Sequence, residues 1–134
     1  MGLHAKYLQD NFCGVEIGVS IPRLKPHLGD FKIPSEINDK NMAQIIAALR
    51  IFLPRLGISL STREAPKLRE DLLPLGITRI SAGSSTKVGG HAVTCDDKFN
   101  LPQFEISDRR NVEEVKAMLT AKGYQPVLKD WMSI

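Results

Sequence analysis

The chain has 134 residues, enough for one domain with a hydrophobic core and too few for two. Hydrophobic residues make up 43% of it and charged residues 25%, as in ordinary globular proteins. Its formal charge is +3, its basic residues are interleaved with acidic ones, and only 6% of residues are aromatic, which argues against a nucleic-acid partner. No apolar run approaches the roughly 20 residues of a membrane helix. We therefore expect a cytoplasmic protein with neither a membrane nor a nucleic-acid partner.

The predicted elements alternate between strands and helices. Strict alternation of apolar and polar residues predicts the first strand, and an apolar stripe at helical spacing that ends before Pro54 predicts the first long helix. The last helix has the clearest boundaries, because Asn111 and Glu114 fit a capping box and Gly123 fits a C-terminal stop. In chain order we predict a helix 3–12, a strand 15–22, a helix 39–53, a strand 58–62, a helix 66–73, a strand 77–82 and a helix from about 112 to 122.

Strands that alternate with helices predict an α/β fold built from parallel β/α units. A complete (β/α)8 barrel needs about 250 residues, and three strands are predicted in this chain. We expect residues 1–134 to form a single domain that corresponds to the last three β/α units of such a barrel, with a C-terminal helix and tail. A small α/β domain of similar connectivity is the alternative. Because half a barrel leaves strand edges uncovered, we also expect either self-association or a need for a missing N-terminal half.

Polar residues collect towards the C-terminal ends of the three predicted strands. If the apolar residues of each strand face the helices, the opposite face carries Ser20, then Ser59, Ser61 and Arg63, then Ile77, Arg79 and Ser81. Barrel enzymes place their active sites at this end of the strands. The pattern alone is equally compatible with serines and arginines that merely bond one another and loop carbonyls.

Six short segments together carry a family resemblance. They are Ser20-Ile21-Pro22-Arg23-Leu24-Lys25-Pro26, Leu60-Ser61-Thr62-Arg63-Glu64, Ser81-Ala82-Gly83-Ser84, Gly89-Gly90, Asp108-Arg109-Arg110, and Gln125-Pro126-Val127 with Lys129-Asp130-Trp131. With these segments in this order and spacing, the chain resembles the C-terminal portion of the radical-type tyrosine lyases of thiazole biosynthesis, the 2-iminoacetate synthases. The resemblance covers nearly the whole chain and includes the biotin and thiamin synthesis-associated domain of that family.

The resemblance implies a radical S-adenosylmethionine enzyme. Such an enzyme splits tyrosine at the Cα–Cβ bond into p-cresol and dehydroglycine (2-iminoacetate), which supplies the thiazole ring of thiamine. In the family, three cysteines of a C-x3-C-x2-C loop in the N-terminal half hold a [4Fe–4S] cluster. Cys13 and Cys95 lack that spacing, so we expect no metal site in this chain and no activity from this chain alone. Cys13 is expected to be a small core residue.

The resemblance also implies roles for single residues. Arg63 matches the arginine that receives the amino-acid carboxylate, whose geometry suits a guanidinium group. An ion pair of Arg63 with Glu64 or an aspartate is the alternative. Ser81 is a candidate to bond the polar end of the substrate, with a structural role as the alternative. The residues expected to border S-adenosylmethionine, with Arg23 as the candidate for its carboxylate, are Pro22, Arg23, Gly83 and Ser84.

Two other functions remain open from the sequence. The related tyrosine lyase of hydrogenase maturation extends further and carries additional C-terminal cysteines. This chain ends Asp130-Trp131-Met132-Ser133-Ile134 without one, which favours the thiazole branch. From another class of function, the chain could be a non-catalytic module that binds the thiazole synthase subunit or assists its assembly.

Overall fold

The computed structural model describes residues 1–24, 34–86 and 105–128. Within these residues the elements are α1 (Gly2–Asn11), β1 (Gly18–Ser20), α2 (Asp39–Phe52), β2 (Gly57–Leu60), α3 (Pro66–Leu72), a 3-10 helix (Leu73–Leu75), β3 (Arg79–Ile80) and α4 (Val112–Ala121). The predicted order of helices and strands is confirmed, although all three strands are shorter than predicted. No helix in the described part of the chain is long and apolar enough to cross a membrane.

Some residues singled out in the sequence lie outside the described ranges. They are Lys25-Pro26, Gly89-Gly90, Cys95 and the end of the chain from Lys129, including Asp130-Trp131. The family resemblance at these positions is therefore a matter of sequence alone.

The three strands form one parallel sheet in the order β1-β2-β3. In this register Val19 lies opposite Ile58, and Leu60 lies opposite Ile80. Parallel neighbours need a crossover connection, and here α2 joins β1 to β2 while α3 and the 3-10 helix join β2 to β3. The prediction of parallel β/α units is confirmed for these three strands.

One face of the sheet packs against the helices to form the core. Ile58 and Leu60 of β2 are 0% and 3% exposed and belong to this core, as predicted from the alternation. The buried cluster also contains residues of α1, α2 and α3, among them Ala5, Met42, Ile46, Leu49 and Leu72. Partly buried residues around β1 pack against it, namely Ile17, Val19 and Ile21.

Three sequence predictions are wrong in detail. Val15 was expected to begin the first strand, but it is 58% exposed and precedes β1 by three residues. Ile77 was expected on the sheet face opposite the helices, yet it packs against the core. Alternation of faces holds only within a hydrogen-bonded strand, and Ile77 precedes Arg79, where β3 begins. Cys13 was expected in the core but is exposed, because it lies in the turn after α1.

Two asparagine caps fix the starts of the long helices. Asn38 accepts a hydrogen bond from the backbone N–H of Asn41 at 2.9 Å, and the Asn41 side chain accepts one from the Asn38 N–H at 3.2 Å. Asn111 and Glu114 form the predicted capping box at α4, with bonds of 2.9 and 2.8 Å. At the other end of α4, Gly123 adopts the left-handed conformation (φ 82°) that the predicted stop requires.

The other face of the sheet is polar. Ser20, Ser59 and Arg79 lie side by side across the three strands, as their register requires. Arg79 Nη2 donates to Glu16 Oε1 at 2.8 Å, so the arginine side chain extends from β3 across β2 towards β1. A Cβ atom at Gly18 would lie only 3.3 Å from Arg79 Nη1, so the absence of a side chain there leaves room for the arginine. This face has the polar lining predicted for the inside of a barrel.

Candidate functional site

The C-terminal ends of β2 and β3 lie beside each other. Ser81, the residue after β3, donates its backbone N–H to the carbonyl oxygen of Leu60, the last residue of β2, at 3.0 Å. Arg63 follows Leu60 by three residues, and its backbone N–H donates to Ser61 Oγ at 3.4 Å. Arg63 is half-buried and Ser81 is exposed. The structure thus brings the two predicted substrate residues to neighbouring strand ends, while their predicted roles remain untested.

Arg23 is held by groups of the chain itself. Its Nε and Nη2 both donate to Glu64 Oε2, the Nε bond being 3.0 Å. Its Nη1 donates to Asp39 Oδ1 at 2.7 Å and to the Ile37 carbonyl oxygen at 3.1 Å. The hydrogen bond with Glu64 raises the pKa of Arg23 against the opposing effect of burial. Arg23 therefore ties the end of β1 to the start of α2 and to the loop after β2.

This arrangement bears on two predictions. Each of the three guanidinium nitrogens of Arg23 already has a partner in the chain, so binding a cofactor carboxylate would require Arg23 to leave them. The residues present do not offer Arg23 as a ready carboxylate ligand, and its cofactor role stays a prediction. Glu64 is 1% exposed; its Oε2 bonds Arg23, and its Oε1 has no hydrogen-bond partner among the described residues. Glu64 is thus a partner of Arg23, and the alternative of an ion pair between Arg63 and Glu64 or an aspartate stays a prediction.

The other predicted cofactor residues lie at two separate places. Pro22 is exposed at the end of β1, where it lines a groove against the start of α2. Gly83 and Ser84 are exposed after β3, on the far side of β2 from Pro22. The Gly83 N–H donates to the Arg110 carbonyl oxygen at 3.0 Å, and its φ of 59° is in the region that favours glycine.

A buried ionic network lies below the end of β3, and the sequence did not predict it. Arg69 of α3 is 0% exposed and Asp108 is 1% exposed. Arg69 Nη1 donates to Asp108 Oδ2, and Arg69 Nη2 donates to the carbonyl oxygen of Ser81. Arg110 Nη2 and Nε donate to Asp108 at 2.7 and 3.0 Å, and the Arg110 backbone N–H donates to Asp108 Oδ1 at 3.1 Å. We call Arg69, Asp108 and Arg110 the Asp108 network.

The network continues towards the surface through Glu70. Arg110 Nη1 lies 2.9 Å from Glu70 Oε1, and Lys122 Nζ lies 3.2 Å from Glu70 Oε2. The hydrogen bond from Lys122 is the main reason why the pKa of Glu70 is lowered. These contacts join α3 to the residues at both ends of α4.

The pKa values of Asp108 and Arg69 are both lowered, but for different reasons. Burial by itself would raise the pKa of Asp108, but hydrogen bonds from the Arg110 side chain and backbone and from Arg69 outweigh it and lower this pKa from 3.8 to about 2. Burial lowers the pKa of Arg69, against the opposing hydrogen bond with Asp108. Asp108 accepts several bonds, whereas Arg69 Nε has no partner among the described residues. Both groups remain charged near neutral pH, since arginine does not lose its proton in proteins.

One local signal does point to this network. Arg69 lies three residues before the buried Leu72 in a seven-residue helix, and is therefore on its core-facing side. A buried arginine requires a carboxylate partner. Asp108 is 39 residues away, and the sequence contains several acidic residues that could take its place. The residue to be paired could be found from the sequence, but its partner could not.

The structure supplies no metal site in the described residues. Within 1–24, 34–86 and 105–128, no group of three or more His, Cys, Asp or Glu side chains is arranged to hold a metal ion. An iron–sulfur cluster needs cysteine ligands, and Cys13 is the cysteine in these ranges. The described residues therefore do not fit such a cluster.

Parallel β/α units with polar strand ends define the chain as an α/β protein of the type in which sites form at the C-terminal ends of the strands. The model of the Biotin and Thiamin Synthesis associated domain matches residues 20–125, which is most of the chain. The chain belongs to this family.

The curated relatives are enzymes of one name. The chain is 42% identical over 130 residues to the 2-iminoacetate synthase of Escherichia coli (strain K12), and 41% identical over 130 residues to that of Salmonella typhimurium (strain LT2). These matches cover 97% of this chain and 34% of each relative. The chain thus spans about a third of the length of the curated relatives that it matches.

Two similar solved structures are hydrogenase maturases. HydG, a maturase of the FeFe-hydrogenase, is 39% identical and superposes with a TM-score of 0.80 over 95% of this chain and 27% of its own length. HydG from Carboxydothermus hydrogenoformans is 38% identical, with a TM-score of 0.75 over 92% of this chain and 27% of its own. The fold seen here is therefore shared with one portion of these larger proteins.

Proposed function

We propose that this chain forms the C-terminal portion of a radical-type tyrosine lyase, a 2-iminoacetate synthase of thiazole and thiamine biosynthesis acting in the cytoplasm. The observation that carries the proposal is the 42% identity over 97% of the chain to an enzyme of that name. The parallel sheet with one polar face supports the view that its strands are the last units of a (β/α)8 barrel. By "the complete enzyme" we mean this chain together with the N-terminal region that the proposal requires.

The ligands that each region can offer indicate which part of the complete enzyme binds the cluster and which part borders the cofactor. In the complete enzyme, a [4Fe–4S] cluster with S-adenosylmethionine would supply radical chemistry for the cleavage of tyrosine at its Cα–Cβ bond to p-cresol and dehydroglycine. The N-terminal region would hold the cluster. In this chain, Pro22, Gly83 and Ser84 are proposed to border S-adenosylmethionine, since all three are exposed at strand ends. For Arg23 the proposed role is to shape this border through Glu64 and Asp39.

Arg63 and Ser81 are proposed to bind the substrate tyrosine. They follow neighbouring parallel strands at the end where barrel enzymes place their sites. The planar guanidinium group of Arg63 can bond both oxygens of the tyrosine carboxylate, which would fix the orientation of the amino acid. The Ser81 hydroxyl can donate or accept at the polar end of the substrate. Abstraction of a hydrogen atom by a radical requires the target atom to be close and well oriented, so rigid anchoring of the carboxylate is the function of these residues.

Substitution of Arg63 tests this assignment. Charge-assisted hydrogen bonds contribute about 1.5–3 kcal/mol, so Arg63→Ala should weaken tyrosine binding by the complete enzyme roughly ten- to a hundredfold. Arg63→Lys should bind tyrosine partially but misplace it, which raises the ratio of unproductive cofactor cleavage to p-cresol formed. Arg55→Ala is the matched control, because Arg55 is exposed and precedes β2, at the opposite end of the sheet. Unchanged tyrosine affinity in a folded Arg63→Ala enzyme would assign Arg63 a structural role.

The alternative is the related tyrosine lyase of hydrogenase maturation. The observation that favours it is the similarity to HydG, with a TM-score of 0.80. Genetic complementation separates the two, since the complete enzyme should restore growth of a thiazole auxotroph and should not restore a strain that lacks its hydrogenase maturase. The reverse result would select the maturation enzyme.

A third candidate is a non-catalytic module that contacts the thiazole synthase subunit. The exposed apolar side chains on α1 and at the end of α2 favour some partner, and they include Leu3, Tyr7, Ile51 and Phe52. Under our proposal the N-terminal region of the complete enzyme covers part of this surface. Turnover of tyrosine by the complete enzyme would exclude the non-catalytic module.

A further inference from the structure

The Asp108 network is bonded to the ends of both strands that carry the proposed substrate residues. On the β2 side, the carbonyl oxygen of Thr62 accepts hydrogen bonds from the backbone N–H groups of Ser107 and Asp108, each 3.0 Å long. Thr62 is the residue before Arg63 and is itself only 5% exposed. The segment that carries the network is therefore fixed directly to the backbone beside Arg63.

On the β3 side, two bonds hold the segment that contains Ser81. Arg69 Nη2 donates to the Ser81 carbonyl oxygen, and the Gly83 N–H donates to the Arg110 carbonyl oxygen at 3.0 Å. Both bonds come from members of the network. Ser81 is thus held from below by Arg69, and the residue two positions later is held by Arg110.

Arg69 is suited to connect the two sides. Its Nη1 bonds Asp108, whose backbone is tied to β2, and its Nη2 bonds Ser81, which follows β3. A guanidinium group offers these donors in a rigid planar arrangement, whereas an ammonium group is a point charge on a flexible stem. Both Arg69 and Asp108 are fully buried, so water does not compete for the bond between them. The bond from Arg69 to the Ser81 carbonyl oxygen is partly buried.

We propose that the Asp108 network is a positioning device for the substrate site, in which Arg69 holds the strand end that carries Ser81 at a fixed place relative to the strand end that carries Arg63. This inference rests on the proposed function, because it takes Arg63 and Ser81 to bind tyrosine. Arg69 acts through Ser81 and touches no substrate, so it is a positioning residue. The network thereby determines whether one tyrosine molecule can contact Arg63 and Ser81 at the same time.

The competing explanation is that the network only stabilises the fold. A variant pair separates the two. Arg69→Met leaves Asp108 without one buried partner and removes the bond to Ser81. In Arg69→Met/Asp108→Asn, no uncompensated buried charge remains, so stability should recover, yet the bond to Ser81 is still missing. Lys67→Met is the control on the same helix, because Lys67 is exposed and pairs with Asp71. Should Arg69→Met fail to fold, Arg110→Gln perturbs the network at a partly exposed position.

Three quantities are measured on the complete enzyme and its variants: thermal stability, amide hydrogen exchange of Ser81 to Gly83, and tyrosine affinity. In Arg69→Met/Asp108→Asn we expect recovered stability, exchange at Gly83 faster by about tenfold or more, and tyrosine affinity lower by roughly tenfold. Arg69→Lys should bind tyrosine no better than Arg69→Met, since a lysine cannot donate to Asp108 and to Ser81 from two fixed nitrogens. Cofactor cleavage without p-cresol should rise in parallel, while Lys67→Met should resemble the unsubstituted enzyme in every measurement.

Two results would overturn the inference. If tyrosine affinity and Gly83 protection both return with stability in Arg69→Met/Asp108→Asn, the network has only a structural role. If Gly83 protection is lost but tyrosine affinity is unchanged, positioning of the substrate by the network is refuted. The Arg63→Ala variant then shows whether the proposed substrate assignment also fails. Loss of affinity in Arg63→Ala would leave the proposed function intact, whereas unchanged affinity there would remove the substrate assignment as well.

Discussion

Acid should destabilise this chain partly through Asp108, and the size of the effect follows from its pKa. The pKa of Asp108 is about 2 in the folded chain, against 3.8 for the free side chain. Because the folded-state pKa is the lower one, the unfolded chain binds more protons in acid, and stability falls as the pH falls. The contribution is complete above about pH 5 and is lost progressively as the pH approaches 2, and a pKa difference of this size is worth about 2 kcal/mol.

Asp108→Asn is the perturbation that isolates this contribution. Asparagine does not titrate in this range. When the pH is lowered from 6 to 2, the free energy of unfolding of the variant should therefore fall by about 2 kcal/mol less than that of the unsubstituted chain. At pH 7 the variant should be less stable by about 3–5 kcal/mol, because Arg69 then lacks its buried counter-ion. The assay is urea unfolding of the chain followed by far-UV circular dichroism at several pH values.

Asp71→Asn is the matched control. Asp71 pairs with Lys67 on the surface of α3, where its side chain is 53% exposed. An exposed pair of this spacing contributes about 0.3–0.5 kcal/mol, so this variant should be nearly as stable as the unsubstituted chain. The reasoning would be refuted if Asp108→Asn cost no more than Asp71→Asn at pH 7, or if its stability fell with acid as steeply as that of the unsubstituted chain.

Three further predictions concern packing and association. Gly76→Ala should lower the free energy of unfolding by about 2 kcal/mol or more, because φ at Gly76 is 93° and a Cβ there would lie 2.6 Å from Arg50 Nε. A smaller loss in thermal unfolding would mean that Arg50 moves aside freely. Ile58→Ala should cost about 2–5 kcal/mol and Ile51→Ala less than about 0.5, since these side chains are 0% and 82% exposed; equal costs in urea unfolding would contradict the assigned core. Sedimentation of the isolated chain should show self-association, because apolar side chains of α1 and α2 are exposed. A compact monomer at high concentration that unfolds cooperatively would indicate a self-contained domain.

The sequence by itself determined the helices, the strand order along the chain and the core-facing side of β2. Helix ends depend on residues three or four positions apart, so Asn111 and Glu114 predicted the start of α4 correctly. Alternation of apolar and polar residues likewise identified Ile58 and Leu60 as core residues. The same alternation failed for Ile77, which precedes the hydrogen-bonded part of β3.

Only the tertiary structure decided which charged groups far apart in the sequence are paired. Arg23 and Glu64 are 41 residues apart, and Arg69 and Asp108 are 39 apart, yet each pair is joined by a direct hydrogen bond. Helix caps and strand alternation are local patterns and carry no information on such contacts. Charged side chains are numerous in the sequence, and the one that serves as a partner is selected by the approach of strand ends and loops after folding. The assignment of Arg69 to the end of β3 depends on that approach, because it requires α3, the end of β3 and residues 107–110 to lie next to one another.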